Sequence, residues 1–440
     1  MLDRRGFLTS VATALQPRSA RRPNLLFIVA DEWRGQALPS AGDPNLIAPN
    51  LARLAAESVD FRRAYTSYPV CCPARGAMLT GKFPHAAGVP GNHMRLPLTE
   101  RTISAELKQA GYRTGYIGKW HLDGHESPGF VPVERRRGFD YWAAYNLLHQ
   151  HYGAVYFRDT PAPIRIDGFE ADGQTNLAIE FLRQKSAQPF FLYLSWVAPH
   201  SPFTPPRGHA TYDPAKLRLR ANVPENSRDQ ASRAAAGYYG LCSAVDENLG
   251  RLLAELDRQG MTEDTIVLFT SDHGITLGSH GLDEIDRPCE ETVNIPLMIR
   301  YPRRLKKRME RDALVSNVDY APTLLSLCEV QPPAEMQGVD LSGWLTSGRG
   351  APRTPVYAEG QVGSHSEWRM VVHGRDKLVV DCNLRPTHLY HLGHDPYELK
   401  NLVALPTSRR KRDDMLALLR QWMSSTSDRI RYTAPRKAAG

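Results

Sequence analysis

At 440 residues, with 42% hydrophobic and 23% charged side chains, the chain has a globular composition and enough length for a large core and roughly two or three domains. Its formal charge of +8, from 55 basic and 47 acidic residues, is modest, and the basic residues are scattered apart from clusters such as Arg303-Arg304-Leu305-Lys306-Lys307-Arg308. That pattern describes a solvated surface, with no nucleic acid expected as partner, and it suits an anionic substrate without requiring one. The six cysteines form neither a paired metal-ligand spacing nor a dense disulfide framework. No apolar run approaches the roughly 18 residues of a membrane span.

The chain opens with Asp3-Arg4-Arg5-Gly6-Phe7-Leu8 and a mild apolar stretch to about Leu15, which resembles a twin-arginine export signal. Residues 1–20 are therefore expected to direct the protein to the periplasm or outside the cell, with a cytoplasmic location as the alternative. Asn24 to Ala30 is an almost continuous apolar run and predicts a buried strand ending at Asp31-Glu32. Acidic side chains at a strand's C-terminal end stand where open α/β sheets place their chemistry. A helical pattern follows at Asn50–Ser58, and then Cys71-Cys72-Pro73-Ala74-Arg75 with Leu79-Thr80-Gly81 downstream. Proline tolerates the first helical turn, so a helix can begin here with its N–H groups unfilled. Cys71 and Arg75, one turn apart, then address the same anion-favouring space.

Next come a helix at Ile103–Ala110 and a strand at Thr114–Ile117 that runs into Gly118-Lys119-Trp120-His121-Leu122. An extended backbone would point Lys119 and His121 to one face, one holding an anion's oxygen while the other moves a proton. A helix at Gln174–Lys185 and a buried strand over Pro189–Val197 lead to Ala198-Pro199-His200. The long irregular stretch Pro199–Asp229, rich in Pro and Arg, has the length of a functional lid. A helix at Ala234–Gln259 precedes strands at Thr265–Thr270 and Ile295–Arg300, the first running into Ser271-Asp272-His273-Gly274. Three carboxylates and an imidazole converging at strand ends call for a cation, and hard oxygen ligands favour calcium, with magnesium or manganese as alternatives.

Alternating strands and helices predict an α/β fold with a large, mostly parallel sheet covered on both faces over residues 21–349. From 350 to 440 the pattern changes to short strands at Val356–Glu359, Trp368–His373, Lys377–Val380 and His388–His391, then a helix at Ser408–Ser424. A small antiparallel sheet with one packed helix is expected there.

The string C-x-P-[SA]-R with L-T-G, the G-K-W-H-L segment, A-P-H and S-D-H-G resemble, in this order, the motifs of the type I sulfatases of the alkaline phosphatase superfamily. Leu46–Phe61 and Leu389–Leu402 extend the resemblance from about Pro23 to Leu402. It implies that Cys71 is oxidised to formylglycine by a maturation enzyme, and that Asp31, Glu32, Asp272, His273 and the modified Cys71 bind the metal. It further implies that Arg75 anchors the hydrated aldehyde, that Lys119 and His200 contact the sulfate, that His200 assists the leaving oxygen, and that His121 is the general base. The implied activity is hydrolysis of sulfate esters or sulfamates on a small molecule or carbohydrate.

One position departs from the pattern: the lysine usual before the E-E pair falls on Ile285, which cannot donate a hydrogen bond, so Arg287 is the nearest candidate replacement. Two other readings remain at this level. Asp31-Glu32-Trp33-Arg34-Gly35 resembles some phosphonate monoester and phosphodiester hydrolases of the same scaffold, and loss of the lysine would suit a non-catalytic binder of sulfated glycans. Oligomeric state is open.

Overall fold

A computed structural model of the protein describes residues 22–125 and 129–432, so the expected export segment lies outside the described residues. The main sheet runs, edge to edge, through strands Arg308–Glu310, Val59–Tyr65, Asn294–Arg300, Thr265–Ser271, Asn24–Ala30, Phe190–Ser195, Arg113–Lys119 and Tyr141–Tyr145, with Val315–Ser316 pairing beside Val59–Tyr65. All of its pairings are parallel except those of Asn294–Arg300, which is antiparallel to both neighbours. The continuous apolar run Leu25–Ala30 is buried on both faces because each face carries a layer of helices. One layer packs the helix Tyr320–Leu327 against Phe27 and Tyr193, while the other packs the 31-residue helix Arg228–Arg258 against Leu26, Ile28 and Val267.

The predicted mostly parallel α/β sheet is present, and the strand Asn24–Ala30 has the expected bounds. Helix Arg228–Arg258 begins six residues before the expected Ala234, because its first turn, Arg228-Asp229-Gln230, carries no apolar periodicity. The strands Val59–Tyr65 and Tyr141–Tyr145 were not foreseen. In the first, Asp60, Arg62 and Arg63 interrupt the apolar pattern, yet Asp60 and Arg63 are buried, one strand in from the sheet's edge.

Beyond residue 350, strands Val356–Gly360, Trp368–His373, Asp376–Val380 and Pro386–His391 form an antiparallel meander, and the helix Arg409–Ser425 covers one face through Met415, Leu419, Trp422 and Met423. That small core also takes in Ala77 and Phe83, so the C-terminal sheet grips the far end of the helix that begins at Cys71. The Trp422 ring meets Phe83 edge-on at 5.0 Å and stacks on Tyr357 at 4.7 Å.

Candidate active site

The register of the central parallel strands sets out the site. Ala30 lies opposite Ser271 and Val29 opposite Ser195, so Asp31-Glu32, Asp272-His273 and Ser195 leave the sheet at one level. Lys119 ends its own strand one step further along, beyond the pair Gly118–Ser195. Into this gap points the helix Cys71–Thr80. It starts where Val70 is still extended (φ −147°, ψ 144°), holds Pro73 in its first turn, and closes on Gly81 in the left-handed conformation. All ten residues of this helix are buried, which is unusual for a segment carrying an arginine.

Arg75 is held by partners on every side. Its Nε donates to Asp272 Oδ2 at 3.1 Å, its Nη2 to Asp31 Oδ2 at 3.1 Å, and its Nη1 to Ser195 Oγ at 2.6 Å and the Lys119 carbonyl at 3.1 Å. Lys119 Nζ donates to Asp31 Oδ2 at 2.5 Å and to Cys71 Sγ at 3.4 Å. Cys71 Sγ also lies 3.3 Å from His273 Nε2 and 3.6 Å from Asp31 Oδ1. Burial by itself raises the Asp31 carboxyl, but Lys119, His200, Arg75 and His273 outweigh it and hold that group well below its ordinary range. Burial and the negative charge of Asp31 push the Cys71 thiol well above its ordinary range, against the pull of Lys119 and Arg75.

Glu32 has a left-handed backbone (φ 66°), and its amide donates to Asp272 Oδ1 at 3.2 Å. Burial, with Asp31 and Asp272 nearby, pushes its carboxyl up to about 8 despite His273 and Lys119. His200 Nε2 approaches Glu32 Oε1 at 3.2 Å, while His200 Nδ1 faces the Ser201 carbonyl at 2.6 Å. Burial draws the His200 imidazole down to about 4.

The strand stops at Lys119, and His121 adopts φ 57°, so the extended backbone expected to align these two side chains is not what orients His121. Its Nε2 instead meets His93 Nδ1 at 3.0 Å, and its Nδ1 is buried without a hydrogen-bond partner. Burial, followed by Lys119 and Arg75, holds its imidazole well below the usual range. Two further histidines continue the row: the His149 ring lies 6.2 Å from that of His121 and stacks on that of His200 at 4.5 Å.

The structure does not bring Arg287 into this cluster. Its guanidinium pairs with Glu284 at 2.5 Å, and it lines a separate cavity with His280 and Glu398. Ile285 packs against the core layer carrying the helix Arg228–Arg258. Asp286, between them, is largely buried, and its amide donates to the carbonyl of Pro69, two residues ahead of Cys71. Among the described residues, the lysine and arginine acting on Cys71 are therefore Lys119 and Arg75. Sequence reasoning missed Ser195, His93 and His149. Ser195 was visible as a polar residue closing an apolar strand, whereas His93 and His149 sit in loops whose approach to the site leaves no local pattern.

A divalent cation fits this set. One donor atom each from Asp31, Cys71, Asp272 and His273 lies within 4.8 Å of the others, and the same holds for Asp31, Glu32 and His200. Glu32 Oε2 is buried with no hydrogen-bond partner, the kind of orphaned oxygen a cation satisfies.

A mostly parallel sheet with a buried cysteine–arginine helix start facing two acidic strand ends defines a sulfatase of the alkaline phosphatase superfamily. The chain belongs to the sulfatase family, whose model matches residues 23–330, and residues 278–425 match the C-terminal region of N-sulphoglucosamine sulphohydrolase. It is 31% identical to the ulvan-active sulfatase of Formosa agariphila over 96% of this chain and 85% of that protein, and 30% identical to the choline-sulfatase of Rhizobium meliloti over 88% and 83%. Among solved structures, BT4656 in complex with its substrate D-glucosamine-2-N,6-O-disulfate superposes with a TM-score of 0.78 at 26% identity, covering 93% of this chain and 99% of that one. The protein is a sulfuric ester hydrolase.

Proposed function

We propose that the protein hydrolyses a sulfate ester or sulfamate on a saccharide, using formylglycine made from Cys71 and a divalent metal held by Asp31, Glu32, Asp272, His273 and the modified residue 71. The observation that carries this reading is the position of Cys71 Sγ, within 3.6 Å of Asp31, His273 and Lys119 at the start of a buried helix. The thiol itself is a poor candidate for the attack, since burial and Asp31 keep it protonated and a neutral thiol is a weak nucleophile. A hydrated aldehyde at residue 71 supplies one hydroxyl for attack on sulfur and a second for later expulsion of sulfate, dividing a hard displacement into two steps. The cation, when bound, supplies Lewis-acid polarisation of the sulfuryl oxygens.

The chain's own residues do the rest. Arg75 fixes both acidic strand ends and so sets the spacing of the cation ligands. Lys119, already 3.4 Å from residue 71, donates to a sulfuryl oxygen as negative charge grows there. His200, whose Nε2 lies 3.2 Å from Glu32, assists the departing oxygen. In the tautomer that donates Nε2–H to His93, His121 keeps its buried Nδ1 to accept the proton of the second hydroxyl. The saccharide substrate is supported by the names of the ulvan-active relative and of the glucosamine disulfate complex.

Peptide mass spectrometry across Cys71, after expression with a maturation system, tests the modification, and turnover of a panel of sulfated saccharides tests the reaction. An unmodified Cys71 in active protein would overturn the formylglycine reading.

A further inference from the structure

Away from the catalytic cluster lies a cavity of about 470 Å³, within the range typical of small-molecule sites, roughly 300–1,000 Å³. Neither Cys71, Lys119, His121 nor His200 lines it. Six arginines do: Arg34, Arg62, Arg63, Arg218, Arg220 and Arg375. They arrive from four places in the fold, namely the loop after Asp31-Glu32, the strand Val59–Tyr65, the irregular segment before helix Arg228–Arg258, and the C-terminal sheet.

The carboxylates in the lining form no direct ion pair with them, although the charge of Asp43 favours the Arg34 cation from beyond contact distance. Asp43 accepts from Tyr239 Oη at 2.7 Å and from two backbone amides, and Glu290 is taken by Lys377 Nζ at 3.1 Å and Tyr65 Oη at 3.2 Å. Behind the lining, Arg220 pairs with Glu291 at 2.7 Å, Arg375 with Asp312, and Arg62 stands 3.9 Å from Asp60. Arg34, Arg63 and Arg218 form no ion pair among the described residues: Arg63 reaches the Gly374 carbonyl and the Tyr65 hydroxyl, and Arg34 Nη2 reaches the Tyr239 hydroxyl at 3.2 Å. Arg34 is only 5% exposed, and its Nε is buried without a partner. A guanidinium cannot shed its charge to relieve burial, so an anion is the partner that satisfies it. Tyr238 fixes Arg34, accepting from its amide at 3.0 Å while donating to the Glu32 carbonyl at 3.1 Å.

From these contacts we infer that this cavity is a second anion-binding site, separate from the catalytic cluster, that takes a saccharide bearing several sulfate or carboxylate groups. Planar guanidiniums match such oxyanions in bidentate fashion, and arginines set around a sugar-sized space require charges distributed over one ligand. Choosing a saccharide over other polyanions rests on the saccharide-sulfatase reading above; the anion chemistry of the cavity does not.

The test is calorimetric titration of Cys71→Ala protein, which cannot turn the probe over, with a trisulfated glucosamine–uronate disaccharide. Arg218 is exposed, so Arg218→Glu, alone and with Arg375→Glu, leaves the fold intact, checked by an unchanged melting temperature in buffer. The expected result is an affinity at least tenfold weaker in the double variant, with a shallower dependence on salt. Affinity within twofold of the parent protein overturns the site. Equal or tighter binding of inorganic phosphate or a nucleotide, with the same sensitivity to the two substitutions, overturns the saccharide assignment. Since the readout is binding alone, a failure of sulfate ester turnover by the unmutated enzyme is a separate result that sinks the reaction and not the cavity.

Discussion

At the scale of single residues, the two adjacent cysteines divide sharply. Cys71 faces Asp31, His273 and Lys119, whereas Cys72 turns into the core below the sheet, its Sγ 3.4 Å from the Met94 carbonyl. Cys71→Ala is expected to remove at least about 3 kcal/mol of transition-state stabilisation, seen as a loss of more than about a hundredfold in kcat/KM. Cys72→Ala, a small truncation in packed surroundings, is expected to cost about 1 kcal/mol of stability and leave kcat/KM within about tenfold. Comparable collapse in both variants would show that the reactive register is wrong. That Cys71 and Arg75 address the same space was legible in sequence because one helical turn relates them, and both reach Asp31. The surroundings of His121 were not, because His93 reaches it from a loop 28 residues away.

Among the elements, the strand Arg113–Lys119 shows how closely the site is tied to backbone packing. Gly118 has φ 99°, and a Cβ added there would fall 2.0 Å from the Ser195 carbonyl. Gly118→Ala therefore forces apart two strands whose last residues, Lys119 and Ser195, both contact Arg75. The expected cost is at least about 3 kcal/mol, read as a lower denaturant midpoint, with activity falling further than stability alone accounts for. A variant as stable as the parent would show that this strand pair has slack that the geometry denies. The apolar strands were predictable from composition because burial on both faces leaves little choice of side chain. The strand Val59–Tyr65 escaped because its charged residues are accommodated one strand in from the sheet's edge, where Arg62 and Arg63 line the arginine-rich cavity.

For the whole molecule, two linkages connect stability to conditions. The first is the cation. A ligand bound by the folded state alone adds about 2.7 kcal/mol at a hundred times its Kd, so prolonged chelation should lower the melting temperature and abolish activity together. Calcium, magnesium and manganese added back in turn then identify the ion by which restores both. An unchanged melting temperature and full activity in chelator would dismiss the metal. The second linkage is His85, which joins the catalytic unit to the C-terminal segment through Glu359 at 3.0 Å and the Thr426 carbonyl at 3.2 Å. Burial lowers this imidazole's proton affinity, but the bond to Glu359 and the charges of Glu359 and Asp428 outweigh it, so the folded-state value is raised. A raised histidine contributes stability that is complete below its unfolded value of about 6.5 and is lost as pH rises through the folded one. Urea unfolding should accordingly show this contribution at pH 5 and its decline as pH rises past about 6.5. His85→Asn should flatten that slope, and an unaltered slope would assign it elsewhere.

Sequence alone determined the class of fold, the order of the chemical motifs and most residues of the buried cluster around Cys71, because buried strands demand apolar runs and each motif is short enough to carry its own spacing. Tertiary structure decided what sequence spacing cannot express. It turned His121 by a left-handed backbone toward His93, set Arg287 against Glu284 and away from Cys71, and placed Ser195 against Arg75. It also gathered six arginines from four separate segments around one cavity, a juxtaposition between residues as far apart as 34 and 375 that arises only when the sheet, the long helix and the C-terminal meander pack together.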